Sequence, residues 1–154
     1  MTPAQAAVIL NEDIVMHTPV LTTPIVGREL VSIVISISSQ SRDDPGKYIF
    51  EGKIDARTTF LRWQGTVEGH KIESLELLTD DENGLLLERT VAYRPFPALK
   101  IFRDRLIALN AGKVPDDIWD YPKATETELW ESRFLSAGCG RDRHSEATAK
   151  GQHG

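Results

Sequence analysis

The sequence predicts an α+β domain in which a curved antiparallel sheet packs against helices. Thr58–Val67 alternates Thr59, Leu61 and Trp63 against Phe60, Arg62 and Gln64, the period of a half-buried strand. Two more extended runs, residues 70–78 and 85–93, flank Asp80-Asp81-Glu82-Asn83-Gly84, a hairpin signal because Asn-Gly tolerates the positive φ of tight turns. Residues 97–110 then place Leu99, Phe102, Leu106 and Leu109 on one helical face, with Gly112 just beyond its end.

The remaining elements follow along the chain. Thr2 can cap a helix with Pro3 at its first position, and residues 4–10 are good helix formers. Residues 13–18 are β-prone, and Pro19 and Pro24 bracket a loop. The segment after Gly27 fits either class. Leu30, Ile33, Val34 and Ile37 make a helical face, while Val31, Ile33, Ile35 and Ile37 make a strand face, and the β-branched content favours the strand. Residues 38–47 are polar and hold Asp44-Pro45-Gly46, which reads as a turn. Glu68-Gly69 punctuates the first two long strands. Arg94-Pro95 ends the sheet. Thr125 with Glu128 forms a capping box for a last helix, expected to carry Leu129, Trp130 and Phe134 toward the core and to stop at Gly138. Residues 1–136 read as one domain, and residues 137–154, with almost no apolar side chain, read as a disordered tail.

Composition narrows the function. A chain of 154 residues defaults to one domain and buries roughly 70% of its unfolded surface, enough for a core without disulfides or metal. A net charge of -5, with no run of five like charges, argues against a nucleic-acid footprint. Cys139 is the only cysteine, so no internal disulfide forms, which fits a reducing compartment. Residues 1–5 carry no basic leader, and the most apolar stretch, residues 30–37, is too short to span a bilayer and is broken by Ser32 and Ser36. The expectation is a cytoplasmic protein with no membrane partner. His17, His70, His144 and His153 lie too far apart in sequence to suggest a metal site. There is no Gly-rich phosphate loop, nucleophile elbow or dinucleotide fingerprint, so no cofactor is expected.

Several ordered motifs carry a resemblance. Asp13-Ile14-Val15-Met16-His17-Thr18-Pro19 precedes Pro24-Ile25-Val26-Gly27-Arg28-Glu29. The sheet closes with Gly69-His70-Lys71-Ile72-Glu73-Ser74-Leu75-Glu76-Leu77-Leu78, Asp81-Glu82-Asn83-Gly84 and Val91-Ala92-Tyr93-Arg94-Pro95, followed by an apolar helix. This pattern, over roughly residues 4–109, resembles the nuclear transport factor 2-like superfamily and within it the SnoaL-like branch. The resemblance implies a cone, with helices on the concave face of a strongly bent sheet and a pocket between them. It makes residues 27–37 a helix, against their β-branched composition. It also implies a small apolar or polycyclic ligand and a homodimer formed through the sheet. The long first helix usual in the family is not expected here, and the helix from Thr125 is a candidate replacement.

Candidate residues come from both readings. Glu76 matches the position where ketosteroid isomerases and many relatives carry a pocket acid. Among Leu75, Leu77 and Leu78 its carboxyl would be desolvated and suited to shuttle a proton. The competing reading pairs it with an arginine such as Arg89 or Arg62. Glu73, three residues earlier, falls on the opposite strand face. Thr18 stands where ketosteroid isomerases place an aspartate base, and threonine cannot abstract a proton unaided. His17 titrates near neutrality, yet adjacent strand residues face opposite ways, so it cannot simply replace an acid at Thr18. The isomerase tyrosine belongs to the absent first helix. The aspartate of limonene epoxide hydrolases is missing from Glu88-Arg89-Thr90-Val91, and Arg94-Pro95 replaces the acid of the SnoaL-like cyclases. Trp63, Phe60, Tyr93 and Phe96 could line an apolar pocket for a planar ligand, or simply be core. Arg94 could reach a ligand carboxylate or pair with an acid near the last helix. The expected catalytic residues are Glu76 and His17, with Thr18, Trp63, Phe60, Tyr93 and Arg94 binding substrate. The alternative is a non-catalytic module that dimerises or binds a protein.

Overall fold

Thr2 caps the first helix, α1 (Pro3–Ala7), as its spacing requires. Its hydroxyl accepts the Gln5 N–H, the Gln5 side chain accepts the Thr2 N–H, and Pro3 fills the first turn, where no N–H is needed. The helix stops three residues before Leu10, which is fully buried as the first residue of β1 (Leu10–His17). The computed structural model describes residues 1–138. Met1–Tyr121 is one compact unit and the chain from Pro122 onward a second.

Beyond β1 come β2 (Ile25–Val26), α2 (Arg28–Gln40), β3 (Lys47–Lys53), β4 (Thr58–Val67), β5 (His70–Asp80), β6 (Leu86–Arg94) and α3 (Phe96–Asn110). A short 3-10 turn, Asp116–Ile118, completes the first unit, and α4 (Glu126–Gly138) belongs to the second. The six strands form one bent sheet in the order β2-β1-β6-β5-β4-β3. Neighbours are antiparallel except β1 and β6, which run parallel with a register shift between Leu10 and Val15.

The segment with two readings is a helix. Every third residue, Val31, Val34 and Ile37, is buried, and Ser32 and Ser36 fill the tight positions between them. Gly27 starts it at φ +98°, where a side chain would be strained, and its N–H donates to Ile14 of β1. Tertiary packing therefore overrides the β-branched propensity. In α3 the buried stripe is Ala98, Phe102, Leu106 and Asn110, whereas Leu109, expected on that face, is exposed.

Residues with alternating burial give the sheet an inner, helix-covered face and an outer face. Thr59, Leu61, Trp63 and Val67 of β4 and Ile72, Ser74 and Glu76 of β5 point inward. Of these, Trp63, Val67 and Ile72 join Met16, Val91, Phe102 and Leu106 in one core. The β4–β5 turn uses Glu68 and Gly69 at φ +48° and +76°, the twist a two-residue hairpin needs. The β5–β6 turn holds positive φ only at Gly84. The Asp81 carboxylate shapes it instead, accepting the N–H groups of Asn83 and Leu85.

Strand β3 is an addition to the sequence reading. It is an edge strand, exposed on both faces, so it lacks the alternation that marks a half-buried strand. A register shift between Tyr48 and Phe50 absorbs Ile49, so Tyr48 aligns with inward Trp63 and Phe50 with outward Arg62. In the second unit, the Thr125–Glu128 capping box forms as expected. Leu129, Trp130 and Phe134 are exposed, contrary to the core role expected of them. Trp130 and Phe134 stack on each other one turn apart, 6.0 Å between centroids. The expected tail lies outside the described residues apart from Ala137 and Gly138, which end α4. No helix among the described residues is long and apolar enough to cross a membrane.

Candidate functional site

The inner face of β5 carries a carboxylate where a core would normally hold a leucine. Glu76 is 3% exposed, opposite Leu61 on one side and Val91 on the other. Both of its oxygens are occupied. Ser74, two residues earlier on the same face, donates its hydroxyl to Oε1 at 2.8 Å. Arg89, inward on β6, donates to Oε2 from Nη2 at 2.8 Å and from Nε at 3.2 Å. Of the two sequence readings for Glu76, the ion pair with Arg89 is the one observed. It also lies on the inner face expected of a pocket acid.

Register builds the surroundings. Tyr48, Trp63, Ser74 and Tyr93 pair in turn across β3, β4, β5 and β6, so they form one row on the inner face. Ser74, the small member, is fully buried between Trp63 and Tyr93. The Tyr93 ring packs on Phe102 of α3, 5.2 Å between centroids. Trp63 is pinned by its N–H bond to the Pro45 carbonyl, and the Arg42 guanidinium carbon lies 4.5 Å from its ring centroid.

These charges act on one another. Burial would lower the Arg89 guanidinium, but Glu76 and the two tyrosines hold it above its ordinary value. Burial pushes the Tyr93 phenol up, opposed by Arg89 and assisted by Glu76. The Tyr48 phenol is also raised, first by desolvation and then by Glu76. Tyr48 is nonetheless 57% exposed as a residue. Tyr48 forms the open end of a site whose other end is closed.

The sequence-predicted residues divide between the two faces. Glu76, Trp63 and Tyr93 share the inner face. His17 aligns with outward Thr90, and its Nε2 lies 3.0 Å from Glu88 Oε1, so the two expected catalytic residues are not brought together. Thr18 follows β1, half-buried. Phe60 points outward, tilted against Phe50 at 5.9 Å, and cannot line one pocket with Trp63 and Tyr93. Phe96 is exposed at the start of α3. Arg94 points outward too, its Nη2 2.8 Å from Glu73 Oε1, so its acid is on β5 and not near the last helix.

Glu73 is the outer counterpart of Glu76. Arg62, Gln64 and Arg94 all donate to it, and these donors, Arg62 first, hold its carboxyl down at about 2. It is 8% exposed because surface side chains cover it, not because core encloses it. Open grooves of about 740 and 760 Å³ lie away from the Glu76–Arg89 pair, the first beside Glu73 and Arg94 and the second beside α1 and the start of α2. Glu73 and Arg94, which border the first, already satisfy each other, so volume alone does not make it the chemical centre. No group of three or more His, Cys, Asp or Glu side chains among the described residues could hold a metal ion.

Arg42, Tyr48, Ser74 and Arg89 are the residues that sequence reading left outside its site. Arg89 was visible as a possible partner of Glu76. Arg42 gave no signal, since it meets Trp63 only through the fold.

Comparisons with known proteins bear on the fold. No protein-family profile matches the sequence, and no curated protein is significantly similar. Solved structures do match. A steroid delta-isomerase from Pseudomonas aeruginosa is 19% identical, with TM-score 0.66 over 71% of this chain and 80% of that one. An uncharacterized protein with a cystatin-like fold from Silicibacter pomeroyi DSS-3 is 23% identical, with TM-score 0.65 over 69% and 74%. A hypothetical protein with a ketosteroid isomerase-like fold from Catenulispora acidiphila DSM 44928 is 11% identical, with TM-score 0.52 over 65% and 81%.

Proposed function

We propose that this chain, which has the nuclear transport factor 2-like fold, binds a small molecule on the inner face of its sheet, beside Glu76 and Arg89. The observation that carries this reading is the buried ion pair itself. Desolvating a carboxylate and a guanidinium costs several kcal/mol per ion, and apolar residues of similar volume commonly serve stability as well or better. A charged pair in the middle of an inner sheet face therefore points to a task other than stability. Tyr48 and Tyr93, at the two ends of the row, keep accessible surface near Arg89 and offer aromatic faces to a planar or polycyclic body. A steroid delta-isomerase among the structures of similar fold supports a ligand of that shape. The SnoaL-like assignment is part of this proposal and rests on the ordered motifs of the sequence.

In this reading Glu76 orients Arg89 and does not move a proton. Both of its oxygens accept hydrogen bonds, Oε1 from Ser74 and Oε2 from Arg89, which fixes the carboxylate against the guanidinium. Titrating the ¹⁵N-labelled protein with naphthalene, anthraquinone and steroid compounds tests it. Shifts should gather at Tyr48, Trp63, Ser74, Arg89 and Tyr93, and Arg89→Met should weaken them at least tenfold. Shifts confined to the outer face, or none with any compound, would sink the proposal.

The outer face supports a second reading, association of two copies through the sheet. Phe50, Leu75 and Leu77 are exposed there. Sedimentation should then show a dimer that Leu75→Lys with Leu77→Lys converts to monomer. A monomeric wild type would exclude this reading without touching the first.

A further inference from the structure

The groups left without a protein partner at the inner site include the Arg42 Nε–H and two phenol hydroxyls. The Glu76 oxygens are taken by Ser74 and Arg89. The Tyr48 and Tyr93 hydroxyls enter no hydrogen bond among the described residues. Arg42 makes no ion pair or hydrogen bond among them either, and its Nε is buried with no acceptor. The acids nearest to Arg42 in sequence are committed elsewhere. Asp43 accepts the Glu68 and Gly69 N–H groups and Arg105, and Asp44 accepts the Gly46 N–H and the Thr66 hydroxyl. The guanidinium is held over the Trp63 ring at 4.5 Å, which leaves the buried Nε without an acceptor. Two guanidiniums against one carboxylate leave one positive charge in excess, in a protein whose net charge is -5.

We infer that the molecule bound on this face is an organic anion, an aromatic or polycyclic carboxylate whose ring packs along the tyrosine row and whose carboxylate meets Arg42. Guanidinium and phenol are matched by an acceptor that carries charge, and a planar carboxylate fits the guanidinium fork. A polycycle with no acceptor would leave the buried Arg42 Nε unpaired. Access comes from the β3 side, where Tyr48 is open to solvent, and the Arg89 side chain keeps 16% of its surface exposed.

This inference rests on the proposed inner-face binding, and a matched pair of probes separates the two. 2-Naphthoate and 2-naphthamide share ring and shape and differ in charge. Calorimetric and NMR titrations at equal ionic strength should show naphthoate binding at least tenfold tighter, with shifts at Trp63 and Tyr93. Arg42→Gln, checked for unchanged melting temperature, should weaken naphthoate at least tenfold and naphthamide much less, erasing that preference. Equal affinity of the two probes for wild type would overturn the anion assignment and leave inner-face binding standing. A naphthoate preference that survives Arg42→Gln would remove Arg42 from the site. If neither probe shifts the inner-face residues, the anion assignment falls, and the anthraquinone and steroid titrations decide inner-face binding. The wild-type comparison needs no variant, so a poorly folded mutant cannot rescue the idea.

Discussion

Replacing Glu76 alone leaves the Arg89 guanidinium buried with no carboxylate to balance it. Breaking a buried pair from one side costs about 3–5 kcal/mol, because the surviving ion keeps its desolvation penalty. Glu76→Leu should therefore lower the urea-unfolding free energy by about that much. Glu76→Leu combined with Arg89→Met should recover most of the loss and, on the same grounds, match or exceed wild type. A double variant as unstable as the single one would mean that the pair holds the fold together, removing the main ground for a functional reading. At this scale the sequence was partly legible. Glu76 stood out by its place among leucines, and strand alternation put Glu73 on the other face. The same alternation separates Phe60 from Trp63, one even and one odd on β4, so the shared pocket drawn for them conflicted with a period already visible. Arg42 was illegible because a cation–π contact between residues 21 apart exists only after α2 and β4 have packed.

Among the elements, β4 and the loop before β3 are fitted around a single indole. A Cβ on Gly65 would stand 2.2 Å from the Trp63 ring, and one on Gly46, already at φ +64°, would meet the same ring at 2.2 Å. Both glycines are thus required by the Trp63 ring, which lies along the strand under Arg42. Gly65→Ala should cost about 1–3 kcal/mol through overpacking and should alter the near-ultraviolet circular dichroism of tryptophan. An unchanged spectrum with full stability would mean that the indole can swing away and does not define the site. Element type followed from sequence wherever burial was one-sided, as in β4, β5 and α3. It was ambiguous for α2, where β-branched residues serve a helix, and silent for β3, which is exposed on both faces and so shows no period at all.

Across the whole molecule, two carboxylates far apart in sequence tie separate parts of the fold together. Asp43 links the loop after α2 to the β4–β5 turn and, through Arg105 at 2.8 Å, to α3. Glu73 joins β4, β5 and β6 across the outer face. Each is held at about 2, below ordinary values of 3.8 for Asp43 and 4.5 for Glu73. For Asp43 the Gly69 N–H is the first cause and Arg105 the second; for Glu73 it is Arg62. A carboxyl whose folded value is depressed takes up protons more readily in the unfolded chain. Its contribution is therefore complete above the ordinary value and is lost as pH falls toward the folded one. Both groups lie under solvent-screened side chains, so the direction and the window, and not a large magnitude, are the expectation. Urea midpoints should be flat from pH 7 to about 5 and should fall between about pH 4.5 and 2. Asp43→Asn with Glu73→Gln should lower the midpoint at pH 7 and flatten the acid limb, so that the two curves converge near pH 2. Parallel curves, separated by the same amount at every pH, would mean that neither carboxylate is depressed. The links between α2, α3 and the sheet would then rest on packing alone.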